Sequence, residues 1–381
     1  MTLVISQTGF DMHCKWRVWL GTWLMLLGAG EVFAQTDYQV QSLTSKPLHK
    51  PWTLQQLPDN RWVVTERKGN LVFIDENGQL SRSRVALPDL YFKGQGGLLD
   101  IELAHDFALS NRVLISYATG NDGANQLEVA TAVLEDDHLS QITPIVTIKP
   151  AKATPVHFAG RLAKLADGTW LVSSGDGFDY REQAQDKSSQ LGKILRFRED
   201  GSAPKDNPFA GAPLVYSMGH RNPQGLVVNP QTNQIISHEH GPAGGDEVNF
   251  IKAGTNYGWP VITNGKDYSG ARISPFEEYP GMAQPQLDWT PSVAPSGMAL
   301  YTHSMFADLS GQLLVTTLKA QSLLRVNMSA QPPRSERIFA TIDQRLRDVA
   351  VGKDGAIYVL TDGAKAEILK VTPAGPDSES D

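Results

Sequence analysis

One pattern recurs along this chain and limits what it can fold into: a polar turn, a β-rich run, a second turn, then another short strand. It reads "DNRWVVTERKGNLVFID" from Asp59, "DGTWLVSSGD" from Asp167 with "LGKILRF" after it, and "TNQIISHEHG" from Thr232 followed by "DEVNFI". It returns as "SGQLLVTTLKAQSLLRV" from Ser310 and "DGAIYVLTDGAKAEILKV" from Asp354, and more weakly as "SNRVLISYATG" from Ser110 with "QLEVATAVL". The turns centre on Asn60, Asn111, Gly168, Asn233, Gly311 and Gly355, residue types that accept positive φ at low cost. Six such copies predict an all-β fold made by radial repetition, a six-bladed β-propeller, which leaves few exposed sheet edges. A pair of β-sandwiches is the alternative. Beyond residue 34 the 381-residue chain offers roughly 58 residues per unit, against ~40–45 in a compact propeller repeat, so long inter-strand loops are expected. The widest interval, from Asn233 to Gly311, contains "NYGWPVITNGKDYSG", and insertions of that size often carry function.

The N-terminus follows a different logic. Lys15 and Arg17 precede an apolar run from Val18 to Leu27, and Val32 and Ala34 sit where small residues mark a cleavage site before Gln35. That order is expected of a secretory signal peptide over residues 1–34, and its apolar core is too short for a spanning helix. An uncleaved anchor is the alternative, and Met12 an alternative start. The propeller is then expected over 35–372, with "PAGPDSESD" (373–381) a disordered tail. Cys14, the only cysteine, lies in the segment to be removed, so the mature chain has neither disulfide nor thiol nucleophile. A periplasmic protein without a membrane span is expected. The net charge of −7 argues against a nucleic-acid partner, so any bound anion must meet a local cluster of cations.

Expensive polar residues concentrate in the loops. "VHFAGRL" carries His157, and Asp176 ends "SSGD" nineteen residues later; His157 is either a core histidine or a base with a carboxylate partner. "GHRNPQGL" supplies Arg221 and Asn222, "TTLKAQ" Lys319, and "DQRLRDVAV" Arg345 and Arg347, whose alternating spacing points both to one side of an extended segment. These cations come from different repeats and could converge at one end of a central channel. Arg347 next to Asp348 also reads as a solvated ion pair worth little. "HEH" places His238 and His240 on one strand face, as zinc ligands would be, but no third ligand is evident and a Gly-Pro follows. "GQGG" lacks the helix pattern of a dinucleotide loop and reads as a tight turn exposing Gln95.

Taken in order, "GQGGLLDIELAHDF", "HFAGRL", "SSGD", "LGKILRFREDGSAPKDNPF", "GHRNPQGL", "EHGPAGGDEVNFI", "NYGWP", "SVAPSG" and "RLRDVAV" resemble the soluble pyrroloquinoline quinone (PQQ) dependent sugar dehydrogenases. The likeness is to the aldose sugar dehydrogenase branch of the glucose/sorbosone dehydrogenase family, and it runs from about Gln41 to Val371. That family is built on a six-bladed propeller. The resemblance implies that His157 is a catalytic base oriented by Asp176, and that Gln95, Arg221, Asn222, Lys319, Arg345 and Arg347 contact PQQ. Ser292 stands where glucose-oxidising relatives have threonine. Glu247 and Tyr257 resemble ligands of a structural calcium, the carbonyls of Gly241 and Pro242 ligands of the calcium beside PQQ, and Tyr268 a residue facing the sugar. Ala243 and Asp100 depart from the family pattern.

The chemistry accounts for these residue types. PQQ carries three carboxylates, so its site needs several cations, each charge-assisted bond contributing about 1.5–3 kcal/mol. Ca2+ takes oxygen ligands and can polarise a quinone oxygen. Oxidising an aldose at C1 to the lactone needs a base for the anomeric hydroxyl; a neutral histidine suits this, and Arg221 would stabilise negative charge developing on the quinone oxygen. The competing readings are a calcium-dependent propeller lactonase and a non-catalytic binding propeller. Sequence leaves the preferred sugar and the electron acceptor unknown.

Overall fold

The computed structural model describes residues 37–375; the expected signal peptide and most of the expected tail lie outside them. Six four-stranded antiparallel sheets form the blades of a propeller. Blades 1–5 span 51–84, 98–147, 159–218, 223–289 and 295–338. Blade 6 takes three strands from 346–373 and its outermost strand from the other end of the chain, Tyr38–Ser42. Among the described residues no helix is long and apolar enough to cross a membrane.

Each recurrent sequence unit is the second and third strand of one blade. Second strands such as Trp62–Glu66, Trp170–Ser174 and Ile357–Thr361 are buried at every position, because each lies between two neighbouring blades. The outermost strands, among them Leu80–Arg84 and Arg334–Ile338, are mostly polar and exposed. The turn residues Asn60, Asn111, Gly168, Asn233, Gly311 and Gly355 all have positive φ, between 53° and 84°. Six apolar clusters fill the molecule, one at each blade–blade interface. One of them joins Trp62, Val64 and Val72 of blade 1 to Tyr358, Leu360 and Ile368 of blade 6.

The innermost strands share a finer pattern. In each, pairing with the second strand slips register after the first residues, a bulge that re-aims the side chains there. The third residue is Thr53, Asp100, Arg161, Gly225, Gly297 or Asp348, and the fourth is always apolar. Those third residues meet at the centre. The Arg161 guanidinium lies 3.0 Å from Thr53 Oγ1, 3.3 Å from Asp100 and 3.4 Å from Asp348, and stacks 4.1 Å over Trp52. Thr53 donates to Asp348 at 2.7 Å, and the Leu162 amide donates to Asp100 at 2.7 Å. Gly297 must lack a side chain, because a Cβ there would sit 2.1 Å from Asp348 Oδ1. Asp348 therefore serves the channel, not its neighbour Arg347, and the alternative of an Arg347–Asp348 ion pair is not what forms: Arg347 pairs with Asp362. Burial pushes the Asp100 carboxyl up to about 7 against the opposing pull of Arg161.

Removing the guanidinium leaves two buried carboxylates facing each other, so Arg161→Met is expected to lose about 3–5 kcal/mol in urea unfolding at neutral pH. The deficit should shrink as pH falls below the raised value of Asp100 toward the ordinary carboxyl value of 3.8, because a protonated Asp100 no longer needs the guanidinium. A pH-independent loss would contradict this account.

Candidate active site

Innermost strands leave from one end of the propeller, and second strands return to that end. Residues just before a first strand and just after a second strand are therefore neighbours around the axis. The first group contains Gln95, His157, Arg221, Asn222, Ser292 and Arg345; the second contains Arg67, Asp176, His240, Gly241, Lys319 and Asp362.

His157 takes a left-handed backbone, φ 54°, and its amide donates to Gln95 Oε1 at 2.7 Å. Its ring Nδ1 lies 2.6 Å from Asp176 Oδ1. The Asp176 amide donates to the Arg221 carbonyl at 2.8 Å, so carboxylate and arginine are tied through backbone as well. Between Ser174 and Asp176 only glycine fits: a Cβ on Gly175 would meet the His157 carbonyl at 2.3 Å. Burial depresses the His157 imidazole, and Asp176 only partly offsets it; Arg221 and Lys152 add to the depression. Burial alone would raise Asp176, but its bond from His157, the Phe178 amide and the Arg221 charge bring it below the usual carboxylate value. The pair is thus a carboxylate facing a neutral imidazole, with Nδ1 protonated and Nε2 making no hydrogen bond among the described residues.

Beside this pair lies a cavity of about 200 Å³, with Trp52, Gln95, Asn222 and the guanidinium-bearing Arg67, Arg345 and Arg347 in its lining. Arg345 and Arg347 both grip Asp362, at 3.0 and 2.9 Å, as their alternating spacing predicts. Arg67 donates to the carbonyls of Gly94 and Gly96 at 2.5 and 2.7 Å, clamping the turn that presents Gln95. Burial and then the Arg347 charge push Arg67 down to about 10. Lys319 is exposed and outside this lining. Ser292 turns its hydroxyl to Asp246 at 2.6 Å, and Asp246 also accepts from the Gly241 amide at 2.9 Å.

Arg221 reaches the other way. Its guanidinium donates to the Gly241 carbonyl at 2.6 Å and lies 3.5 Å from the Tyr268 hydroxyl, while its amide donates to Glu239. Tyr268, 64% exposed, stacks on Phe178 at 6.3 Å, and Phe178 meets the His157 ring edge-on at 5.3 Å. A second pocket, beside Arg221, is lined by Glu239, Gly241, Glu247, Tyr257, Asn264 and Glu277. Burial, then the Glu239 charge, pushes the Glu247 carboxyl well up. The Tyr257 hydroxyl is occupied, donating to the Phe250 carbonyl at 2.6 Å, so the residue could offer a metal only its backbone oxygen. Pro242 continues the Gly241 loop, which Ala243 closes by pairing with Lys266. Among the described residues no cluster of three or more His, Cys, Asp or Glu side chains is placed to hold a metal. His238 is buried against the Gly297 carbonyl at 3.4 Å, deeper in the blade than His240.

Residues 48–370 match the glucose/sorbosone dehydrogenase family. The chain belongs to that family. Over 92% of its length it is 39% identical to the aldose sugar dehydrogenase YliI of Escherichia coli K12, covering 97% of that protein. The crystal structure of the soluble aldose sugar dehydrogenase of Escherichia coli, in its apo form, superposes with a TM-score of 0.83 at 37% identity, over 88% of this chain and 100% of that one. The PQQ-bound aldose sugar dehydrogenase of Streptomyces coelicolor gives 0.71 at 26% identity, over 88% and 98%. As a member of the glucose/sorbosone dehydrogenase family the protein is an oxidoreductase on a propeller scaffold.

Reading the chain by motif missed Arg67, Asp362 and Trp259. The first two were within reach, since each directly follows a second strand, as Asp176 and Lys319 nearly do. Trp259 lies inside the quoted "NYGWP", but nothing in that motif points to a bond with Asp176.

NMR titration of the His157 imidazole is expected to give a value below the ordinary 6.5. Asp176→Asn should lower it further, because the carboxylate favours the imidazolium. An upward shift in that variant would contradict the assigned pair.

Proposed function

We propose that the protein is a PQQ- and calcium-dependent dehydrogenase of the periplasm, oxidising aldoses at C1 to lactones. One observation carries the reading: in an acidic chain, a buried His157–Asp176 pair is joined through the His157 amide to Gln95, in the wall of a cavity that three arginines also line. The donor set fits PQQ. Arg67, Arg345 and Arg347 match an anion with several carboxylates, Gln95 and Asn222 add amides, and Trp52 supplies a flat apolar floor. For calcium, the second pocket offers hard oxygen donors, among them the buried carboxylate of Glu247, which makes no ion pair among the described residues; Glu239 beside it is paired with His220. The Gly241 carbonyl, the expected ligand beside PQQ, is engaged by Arg221, and a metal there would share or displace that bond.

When bound, PQQ supplies the two-electron acceptor for the hydrogen leaving C1. The chain does the rest. His157, neutral and with its Nε2 lone pair available, accepts the proton of the anomeric hydroxyl; Asp176 stabilises the imidazolium formed. Arg221 brings positive charge to the same side, where negative charge develops as the bond breaks. The exposed faces of Phe178 and Tyr268 offer an apolar wall beside the base for a sugar's C–H face. A lactonase would be expected to bring metal-binding carboxylates to the channel centre and to have no use for Lys319, Arg345 and Arg347; here the central carboxylates Asp100 and Asp348 are answered by Arg161, and Arg345 and Arg347 line the cavity. The periplasmic location follows from the leader-like order of residues 1–34, and intact mass of the exported protein should begin at Gln35.

Dye-reduction assays on protein given PQQ and Ca2+ should show aldose oxidation that falls on chelation. Arg347→Ala should weaken PQQ binding by about one to two decades, from the loss of one charge-assisted bond of roughly 1.5–3 kcal/mol. His157→Ala should retain PQQ binding and lose turnover by roughly 10²–10⁴. Full sugar oxidation without any quinone, or wild-type turnover per bound PQQ in His157→Ala, would overturn the reading.

A further inference from the structure

Asp176 has two carboxylate oxygens, and the orientation of His157 uses one. Oδ1 accepts from His157 Nδ1 at 2.6 Å and from the Phe178 amide at 2.8 Å. Oδ2 accepts a single bond, 2.7 Å from the indole Nε1 of Trp259. The carboxylate torsion of an aspartate is broad and nearly two-fold, so a donor on one oxygen alone does not fix the plane of the group. A donor on each does. We propose that Trp259 is a positioning residue for the base: its indole N–H locks the plane of Asp176, which in turn holds His157 in the Nδ1–H tautomer with Nε2 free.

Trp259 is itself immobilised. Its amide donates to the Gly219 carbonyl at 3.0 Å, and its carbonyl accepts from Gln185 Nε2 at 2.7 Å. Gln185 also exchanges bonds with Asn256 at 2.7 and 3.0 Å, so the indole stands on a side-chain bracket, not on a loose loop. The Arg221 guanidinium lies 5.3 Å from the ring, over its face, so the same residue lies against both groups that act on the substrate. The other charged or titratable groups near the pair do not replace it. Lys152 donates to Asn125 at 3.0 Å and to the Thr154 carbonyl at 2.6 Å, Arg221 to Gly241, and His240 makes no bond to Asp176. Among the described residues Trp259 is the only donor to Oδ2. The insertion after blade 4's third strand thus reaches back to hold a residue of blade 3.

The inference rests on reading His157 as the base, and its test separates the two. The measurement is the low-field Nδ1 proton resonance of His157, taken on the purified full-length mature protein with and without added PQQ. His157→Gln identifies the signal and distinguishes it from that of His220, which pairs with Glu239 at 2.9 Å. Trp259→Phe keeps an aromatic ring and removes the N–H; the resonance should shift upfield or broaden away. In the same variant kcat should fall roughly tenfold to a hundredfold, the scale of a small misplacement of a reacting group. Sugar KM and PQQ affinity should hold. In an Asp176→Asn background, Trp259→Phe should cost little more, because the two act as one unit. An unchanged resonance in Trp259→Phe overturns the proposal, as do kcat losses that simply add in the double variant. Lost PQQ affinity with an intact resonance also overturns it, assigning Trp259 to Arg221 instead. If the wild type shows no quinone-dependent turnover, the functional reading fails, yet the resonance still decides the Trp259 link.

Discussion

A wedge-shaped sheet with two apolar faces is stable only between neighbours, so six blades require a closed ring. Here the closing contact is a short antiparallel pairing, Tyr38 opposite Pro373 through Ser42 opposite Leu369, prolonged by the Leu43 amide on the Ile368 carbonyl at 2.8 Å. Without it the blade 1–blade 6 cluster around Trp62, Tyr358 and Ile368 would open to water. Tyr38 adds a side-chain latch: it packs edge-on against Phe339 at 4.8 Å and accepts from Thr341 at 3.1 Å. The candidate site inherits this constraint, because Arg67 comes from blade 1, His157 and Asp176 from blade 3, and Arg347 from blade 6. Their mutual distances are set by ring geometry, not by local loop structure.

Within that ring, carboxylates near the strand ends are used to aim other groups. Asp176 serves His157, Asp362 serves Arg345 and Arg347, and Asp246 serves the Gly241 amide and Ser292. Below Trp52 the arrangement inverts: one guanidinium, Arg161, answers Asp100 and Asp348. Trp52 thus separates a cavity rich in cations from a hub in which carboxylates outnumber the arginine, with Arg161 stacked on its face at 4.1 Å. Asp362 is the acid that two of that cavity's arginines, Arg345 and Arg347, share.

How far the sequence could be read depended on which strand was being read. Second and third strands were legible because burial on both sides gives uninterrupted β-rich runs, punctuated by Asn and Gly at positive φ. First strands such as "PQGLVV" were not, because the bulge breaks their period and the third residue, facing the channel, can be Gly, Asp, Arg or Thr. Outer strands such as "LSRSR" lack an apolar signal altogether. The base pair was legible as a motif, but its choice over a core histidine came from the family resemblance. Lys319 shows the limit: its place after a second strand is right for the site, yet the side chain is exposed, and no local pattern decides where a loop lysine points. Asp100 was noticed only as a departure from the family pattern; the structure gives it a partner in Arg161 that lies 61 positions away.

The backbone around His157 is not relaxed. His157, Ala159, Gly160, Gly177 and Phe178 all have positive φ, from 54° to 95°. For Ala and Phe that region is costly, about 1–3 kcal/mol per residue, and loops do not sustain such a run unaided. What sustains it is visible: the His157 amide is held by Gln95, the Phe178 amide by Asp176, and the His157 carbonyl lies against Gly175, where no side chain fits. Each support comes from a strand end whose position the ring fixes. The left-handed turn at His157 lets its amide face Gln95 while its ring faces Asp176, and the turn at Phe178 leaves that ring 43% exposed beside the imidazole. A relaxed backbone at these positions would redirect the amide, the ring or the exposed aromatic face. Strain and site geometry therefore share one cause: the same few torsions that are unfavourable locally are those that join imidazole, carboxylate and exposed aromatic ring at the mouth of the channel.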